Sequence, residues 1–205
     1  MSDVRIADLP RAATTEAVAV LANGMRDNPI HVAAYGPDAG RRERCHGRLM
    51  RALLRSPQAP AMLGAWQGDR LVGCAGVAHG GDCRPGPAAI ASMLPALVAL
   101  GPATALRVRT WTSAWRAADP DEPHAHIGPV AVARDVQGSG IGTLLLAELC
   151  RRLDTEGHTA YLETDRPENV RFYKRAGFTT VAEALVLGVP CWYMRRSPDR
   201  RLAVP

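Results

Sequence analysis

Lysine is nearly absent from this 205-residue sequence. Lys174 is the only lysine, so the formal net charge of +5 is carried almost entirely by arginine. These arginines are spread along the chain instead of being gathered into one basic tract. A dispersed pattern of this kind is typical of a solvated surface, so we expect no nucleic-acid partner.

Long apolar runs are also missing. The most apolar stretch, residues 88–105, is interrupted by Pro95, Gly101 and Pro102, which is incompatible with a membrane-spanning helix. The N-terminal residues do not form a charged segment followed by an apolar core, so they do not resemble a secretory signal. We therefore expect a cytoplasmic protein with no membrane partner.

The cysteines form no Cys-x-x-Cys pair, which excludes the usual zinc-knuckle and redox motifs. They are odd in number and widely spaced, as expected for reduced thiols in the cytoplasm: Cys45, Cys74, Cys83, Cys150 and Cys191. His124 and His126 would alternate onto one face of a strand and could in principle chelate a metal. No third ligand is evident beside them, so we expect no metal.

Composition is that of a soluble globular protein, with 47% hydrophobic and 22% charged residues. A chain of this length usually forms one core, so we expect a single domain over residues 1–205. Monomer and homodimer both remain open.

The residues from His126 to Thr143 run from a short apolar segment through a glycine-dense turn into a helix. The helix is indicated by apolar residues that recur at spacings of one, three or four along one face: Ile141, Leu144, Leu145, Leu149 and Leu153. The predicted unit is therefore strand, tight loop and helix.

Gly138, Gly140 and Gly142 remove three side chains from the loop that opens this helix. Backbone N–H groups could then approach a bulky anion, and the helix N-terminus adds a favourable partial charge. A nucleotide pyrophosphate would suit such a loop. A Walker loop is excluded because this loop contains no lysine. The glycine spacing does not match the dinucleotide-binding fingerprint of oxidoreductases. A simple tight connection remains the alternative.

Periodicity and turn residues predict alternating strands and helices along the rest of the chain. The predicted strands lie at Val4–Ile6, Ala61–Gln67, Arg70–Ala78, His124–Ala133, Thr159–Thr164, Phe178–Val186 and Val189–Met194. The first predicted helix ends at Ala22. The later ones span His31–Tyr35, Arg41–Leu54, two segments within 88–118, the segment from Ile141, and Val170–Ala176. Residues 80–87 are predicted to form a loop, and Asn169 is predicted to cap the last helix.

Two segments in this order resemble a known family. Gln137 to Gly142 resembles the Gln/Arg-x-x-Gly-x-Gly/Ala loop of the GNAT superfamily of acyl-CoA-dependent N-acyltransferases. Asn169 to Phe178 resembles its second signature, Asn-x-x-x-Tyr-x-x-x-Gly-Phe. The resemblance is strongest over residues 121–196, which look most like puromycin N-acetyltransferase and its bacterial relatives.

The resemblance implies an α/β (α+β) fold with a mixed, mostly antiparallel sheet of six to seven strands. The fourth and fifth strands would splay apart, with helices on both faces and a helical insertion at about residues 88–118. It also implies acetyl transfer from acetyl-CoA to a primary amine of a small molecule, by direct attack in a ternary complex. A non-catalytic acyl-CoA sensor with the same fold is the alternative.

Roles for individual residues follow from the same resemblance. Tyr173 would be the general acid, and either Glu163 or His126 would be the base. His31 and Tyr35, between the first two strands, and Trp111, in the insertion, would contact the acceptor. The residues expected to bind acetyl-CoA are Val130, Ala131, Val132, Gln137, Gly138, Ser139, Gly140, Ile141, Gly142, Thr143, Asn169, Phe172 and Tyr173.

Overall fold

The computed structural model describes residues 4–79, 85–199 and 201. The predicted loop at 80–87 lies mostly outside these residues, and Cys83 lies wholly outside them. The α-helices are α1 Thr14–Gly24, α2 Pro29–Tyr35, α3 Ala39–Leu54, α4 Pro87–Ala99, α5 Pro102–Ala118, α6 Ile141–Thr155 and α7 Pro167–Arg175. The strands are β1 Val4–Asp8, β2 Ala61–Gln67, β3 Arg70–Ala78, β4 Ala125–Val132, β5 Ala160–Thr164, β6 Thr179–Val186 and β7 Val189–Arg196.

These strands form one seven-stranded sheet in the order β1-β2-β3-β4-β5-β7-β6. Every neighbouring pair is antiparallel except β4 and β5, which are parallel. The sheet is therefore mixed and mostly antiparallel, which confirms the predicted fold class. The β2–β3 hairpin has the predicted bounds because the residues Gly68 and Asp69 supply its turn.

Strands β4 and β5 pair over a very short length. Only Ala125 with Ala160 and His126 with Tyr161 are in register, after which the two strands separate. On its other edge β4 stays paired to β3 as far as Val132, with an irregularity opposite Gly76. The predicted splay between the fourth and fifth strands is thus present, and it opens a gap in the middle of the sheet.

Helices cover both faces of the sheet and form two separate cores. Helix α6 packs against the first four strands, and α7 lies with it in the same core. Helices α1, α2, α3 and α5 pack on the opposite face, where α5 contacts β6 and α2 contacts β7. Among the described residues, no helix has both the length and the apolar character needed to cross a membrane.

Helix α7 begins earlier than the sequence pattern indicated. It starts at Pro167 and its N-cap is Arg166, so Asn169 lies inside the first turn and the predicted capping role of Asn169 is wrong. Proline is favoured at the first helical position because it has no N–H to leave unpaired and its φ is already helical. The same feature begins α2, α4 and α5, at Pro29, Pro87 and Pro102.

Helices α4 and α5 occupy the range predicted for the helical insertion and meet at Gly101. Gly101 has φ of +80°, a backbone conformation that glycine adopts without the usual steric cost. The insertion contributes Val108 and Trp111 to the core on the α2 side of the sheet. It therefore closes over the sheet face that α6 leaves uncovered.

His31 and His46 stack inside this core with their ring centroids 4.0 Å apart. His31 is fully buried, and its Nδ1–H donates to the Met25 carbonyl at 2.7 Å, while its Nε2 has no partner. Burial outweighs that hydrogen bond and lowers the pKa of His31 to about 4. The pKa of His46 is also lowered by burial, so both rings are neutral near pH 7.

This pair should make the fold sensitive to acid. In the unfolded chain His31 binds a proton below about pH 6.5, whereas in the folded chain it binds one only below about pH 4. Stability is therefore lost as pH falls through that window, by about 3 kcal/mol for this one group. In His31→Asn, which keeps a donor near Met25, the unfolding free energy measured with denaturant should fall less steeply with pH.

The control is His158→Asn, because His158 is exposed. Its unfolding free energy should follow the wild-type pH dependence. If His31→Asn also kept the wild-type slope between pH 6.5 and 4, the buried neutral ring would not be the source of acid sensitivity.

Candidate active site

A groove of about 410 Å³ lies where β4 and β5 separate, between the start of α6 and helix α7. All but one of the residues predicted to bind the cofactor line it: Val130, Ala131, Val132, Gln137, Gly138, Gly140, Ile141, Gly142, Thr143, Asn169, Phe172 and Tyr173. The exception is Ser139, whose hydroxyl donates to the Val136 carbonyl at 2.6 Å. The two sequence segments that resemble the family therefore line the same groove.

The loop that opens α6 is built for close approach by its backbone. Gly138 and Gly140 have φ of +83° and +90°, which a residue with a side chain adopts only with strain. Within the described residues, the N–H groups of Gly138, Gly140, Ile141 and Gly142 have no hydrogen-bond acceptor in the protein. Four such donors at the N-terminus of a 15-residue helix make a site for an anion.

Gln137 holds the loop in place. Its side-chain amide donates to the carbonyls of Val132, at 2.9 Å, and Gly24, at 3.1 Å. Gly24, the last residue of α1, approaches β4 so closely that an added Cβ would lie 2.5 Å from the Val132 oxygen. The end of α1, the end of β4 and the glycine loop are thereby joined at one edge of the groove.

Strand β4 offers backbone groups to the gap. The N–H of Ala133 donates to Val72 of β3, so by alternation Ala131 also faces β3 while Val130 and Val132 face the gap. The Val132 carbonyl is already used by Gln137. The remaining backbone groups of Val130 and Val132 are positioned to pair with an extended ligand as a further strand would.

Five groove residues were missed by the sequence argument: Gly24, Met25, Asn28, Arg166 and Arg175. Arg166 lies two residues after the end of β5 and is the N-cap of α7, and Arg175 ends α7, so both place positive charge at the groove. The position of Arg166 at the end of a strand was a usable signal. Gly24, Met25 and Asn28 had none, because the end of α1 and the α1–α2 connection reach the groove only through tertiary packing.

Tyr173 lies on α7 with its ring packed against Phe172 and Phe178, at centroid distances of 5.1 and 5.8 Å. Only 7% of Tyr173 is exposed, yet it lines the groove. Burial, assisted by the nearby Asp165 carboxyl, raises the pKa of Tyr173 above its ordinary value. The phenol is therefore protonated near neutral pH, as a proton donor must be.

The two predicted bases touch each other at the point where β4 and β5 separate. Nε2 of His126 lies 2.9 Å from Oε2 of Glu163, and its Nδ1 lies 3.2 Å from Oδ1 of Asp119. Asp119 was not predicted as a functional residue. Neither His126 nor Glu163 lines the cofactor groove; both face α5 across the sheet.

Burial alone would lower the pKa of His126, but the charges and hydrogen bonds of Glu163 and Asp119 outweigh it. They raise the pKa of His126 to about 10, so the ring is a cation at neutral pH. A cationic imidazole cannot accept a proton. Of the two predicted bases, the geometry therefore favours Glu163.

The three residues predicted to contact the acceptor are buried in the core between α2, α3 and α5. His31 and Tyr35 have no exposed surface and Trp111 has 5%. His31 and Trp111 are in ring contact, with centroids 5.3 Å apart, and none of the three lines the groove.

The cysteines of the described residues are free thiols and all are buried. Burial raises the pKa of Cys74 to about 12 and those of Cys150 and Cys191 to about 11. Such thiols are rarely ionised near neutral pH and are weak nucleophiles. A covalent acyl-cysteine route is not favoured at these positions.

The family is decided by a match over residues 29–178, nearly three quarters of the chain, to the model of the acetyltransferase (GNAT) family. The chain belongs to that family. It is an acetyltransferase with the GNAT fold.

Solved structures with the same fold come from several organisms. A protein of Corynebacterium glutamicum named histone acetyltransferase HPA2 and related acetyltransferase has a TM-score of 0.71 at 20% identity, covering 97% of this chain and 98% of its own. A Drosophila melanogaster polyamine N-acetyltransferase has a TM-score of 0.66 at 12% identity, covering 95% and 100%. A Brucella melitensis GNAT acetyltransferase in complex with acetyl-CoA has a TM-score of 0.56 at 16% identity, covering 100% and 93%.

The loop geometry predicts how coenzyme A should respond to a substitution. An Asp side chain at Gly140 would place a negative charge beside the unpaired N–H groups, so Gly140→Asp should weaken coenzyme A binding at least about tenfold, or ~1.4 kcal/mol. The measurement is calorimetric titration of the folded variant with coenzyme A.

Gly157→Asp is the matched control. Gly157 also has positive φ, +71°, and open space around its Cβ position, but it follows the far end of α6. Similar backbone strain is thus introduced without charge at the loop. Equal affinities for the Gly140 and Gly157 variants would contradict anion binding at the loop.

Proposed function

We propose that this acetyltransferase moves an acetyl group from acetyl-CoA to the primary amine of a small molecule by direct attack in a ternary complex. The observation that carries the proposal is the arrangement of side chains and backbone groups around the point where β4 and β5 separate. The groove with its unpaired amides and Tyr173 lies on one side, and the buried His126–Glu163 pair lies on the other.

The residues present fit acetyl-CoA. Four unpaired N–H groups, together with Arg166 and Arg175, suit a pyrophosphate, and the gap-facing backbone of Val130 and Val132 suits an amide-containing arm. When bound, acetyl-CoA supplies an activated thioester carbonyl. The chain's own task is to hold that carbonyl near the amine and to manage two protons.

Glu163 would take the first proton. Most primary amines are ammonium ions at neutral pH and have no free electron pair until a base removes a proton. Oε1 of Glu163 is buried and has no hydrogen-bond partner in the described structure. A carboxylate oxygen left in this state can accept a proton from an incoming ammonium group.

Tyr173 would supply the second proton. Collapse of the tetrahedral intermediate releases a thiolate, whose conjugate acid has a pKa of about 8.5. The buried phenol of Tyr173 is protonated and lines the groove, so it can protonate the leaving sulfur. A backbone N–H of β4 facing the gap would stabilise the oxyanion.

The acceptor side of the site is acidic. Glu163 and Asp119 are buried there, with one imidazolium at His126, although the chain as a whole is positively charged. This balance favours a cationic amine. Some neighbours are named as enzymes for small amines and another as a ribosomal-protein alanine N-acetyltransferase, so a protein acceptor is the competing class.

An acceptor screen tests the proposal directly. Purified protein with acetyl-CoA would be offered polyamines, arylalkylamines, aminonucleosides of the puromycin type and N-terminal peptides, and free thiol would be measured. Thiol release dependent on a small amine supports the proposal. Release only with peptides would replace the acceptor class, and coenzyme A binding without any release would favour an acyl-CoA sensor.

Tyr173→Phe should lower kcat strongly and leave acetyl-CoA affinity nearly unchanged, because the ring still packs and only the proton donor is lost. General acid catalysis typically contributes about a hundredfold to ten-thousandfold, or roughly 3 to 5 kcal/mol of barrier. Single-turnover kinetics are the proper measurement, since slow product release could hide the loss in steady state.

Tyr35→Phe is the control for this prediction, since Tyr35 is a fully buried tyrosine away from the groove. Its single-turnover rate should stay within about a factor of two to three of wild type. A wild-type rate for Tyr173→Phe would remove the acid role, and the proton would have to come from water.

A further inference from the structure

The residue that follows helix α5, Asp119, connects the helical insertion to the predicted catalytic pair. Its side chain is buried, with 5% exposed, and its Oδ1 lies 3.2 Å from both Nδ1 of His126 and Nε2 of His124. The Tyr161 hydroxyl donates to the Ala118 carbonyl at 2.7 Å, which fixes the chain one residue earlier. The end of the insertion is thereby anchored to β4 and β5.

His126 is held between two carboxylates, one at each ring nitrogen. Ionised carboxylates only accept hydrogen bonds, so both nitrogens must carry a proton to satisfy both contacts. With Asp119 absent, a neutral ring could donate to Glu163 through Nε2 or present a bare nitrogen there. Asp119 therefore selects both the orientation and the charge of His126.

The consequence falls on Glu163. Its Oε2 is occupied by His126, while its Oε1 is buried without a partner. A buried carboxylate oxygen without a donor is costly in free energy, and a catalytic role is one of the explanations for such a group in a native structure. The His126 contact fixes the rotation of the carboxylate, and that rotation decides where Oε1 points.

We propose that Asp119 is a positioning residue that holds His126 against Glu163, so that Oε1 of Glu163 receives the proton of the acceptor amine. This inference rests on the proposed function. In the step, one ammonium N–H bond breaks and an O–H bond forms at Oε1, leaving the nitrogen electron pair free to attack. Because Asp119 terminates α5, the position of the insertion sets the geometry of the base.

Several groups on the surrounding elements face His126 and influence its titration. They are Asp119 after α5, Glu163 and Tyr161 on β5, and His124 before β4. The two carboxylates are the nearest, and they together raise the pKa of His126. Removing one of them should be visible in the titration of this ring.

The test compares wild type with Asp119→Asn in the full chain. Side-chain NMR of His126 should show a ring protonated on both nitrogens up to high pH in wild type. In Asp119→Asn its midpoint should fall by at least about one pH unit. The kcat with the best amine of the screen should fall about tenfold or more, less than the hundredfold to ten-thousandfold for loss of a general base. Acetyl-CoA affinity should not change.

Asp119→Glu and Tyr161→Phe separate charge from tethering. Asp119→Glu keeps the carboxylate and should recover part of the rate and the raised His126 midpoint. Tyr161→Phe removes the bond to Ala118 and keeps the charge, so it should retain the wild-type His126 midpoint. An unchanged His126 midpoint in Asp119→Asn overturns the proposal. So does a Tyr161→Phe loss of rate equal to that of Asp119→Asn, since Asp119 would then act only as a tether.

The NMR measurement needs no substrate. If wild type turned over no amine, the proposed function would fail while the His126 titration still reported on Asp119. If wild type turned over an amine and Asp119→Asn matched its kcat and its pH profile, the acetyltransferase assignment would stand and the positioning role would be lost.

Discussion

The interruption of pairing between β4 and β5 is the constraint on which the rest of the structure depends. Two paired positions hold the strands together at Ala125 and His126, and beyond them the sheet is open. An open edge in the middle of a sheet leaves backbone groups without a partner in the sheet, so water or a ligand must complete their hydrogen bonds. The groove, the glycine loop and Tyr173 all border this opening.

The two sides of the opening carry opposite charge, by different means. On the groove side, backbone N–H groups at the start of α6 and the arginines Arg166 and Arg175 favour an anion. On the other side, the buried carboxylates Glu163 and Asp119 favour a cation, and His126 offsets only part of their charge. This division fits a reaction that joins a phosphate-bearing donor to an ammonium acceptor.

Local sequence carried most of the information about the donor side. The glycines at 138 and 140 are required by a backbone with positive φ, and the helix after them follows from its apolar spacing, so neither needs distant contacts. The fold class was implied by the resemblance. The capping role given to Asn169 failed because Pro167, two residues upstream, begins the helix.

The acceptor side was decided by tertiary structure. His126 and Glu163 could be named from the sequence, but Asp119 could not, because it meets His126 only when the insertion packs against the sheet. His31, Tyr35 and Trp111 were expected to face a ligand and are instead buried. Periodicity predicts which side chains share one face of a helix. Whether that face packs in the core or contacts a ligand depends on elements far apart in the chain. The sequence by itself determined the loop and its helix, since their conformation is local; the base, its charge and its partners arose only where three distant segments came together.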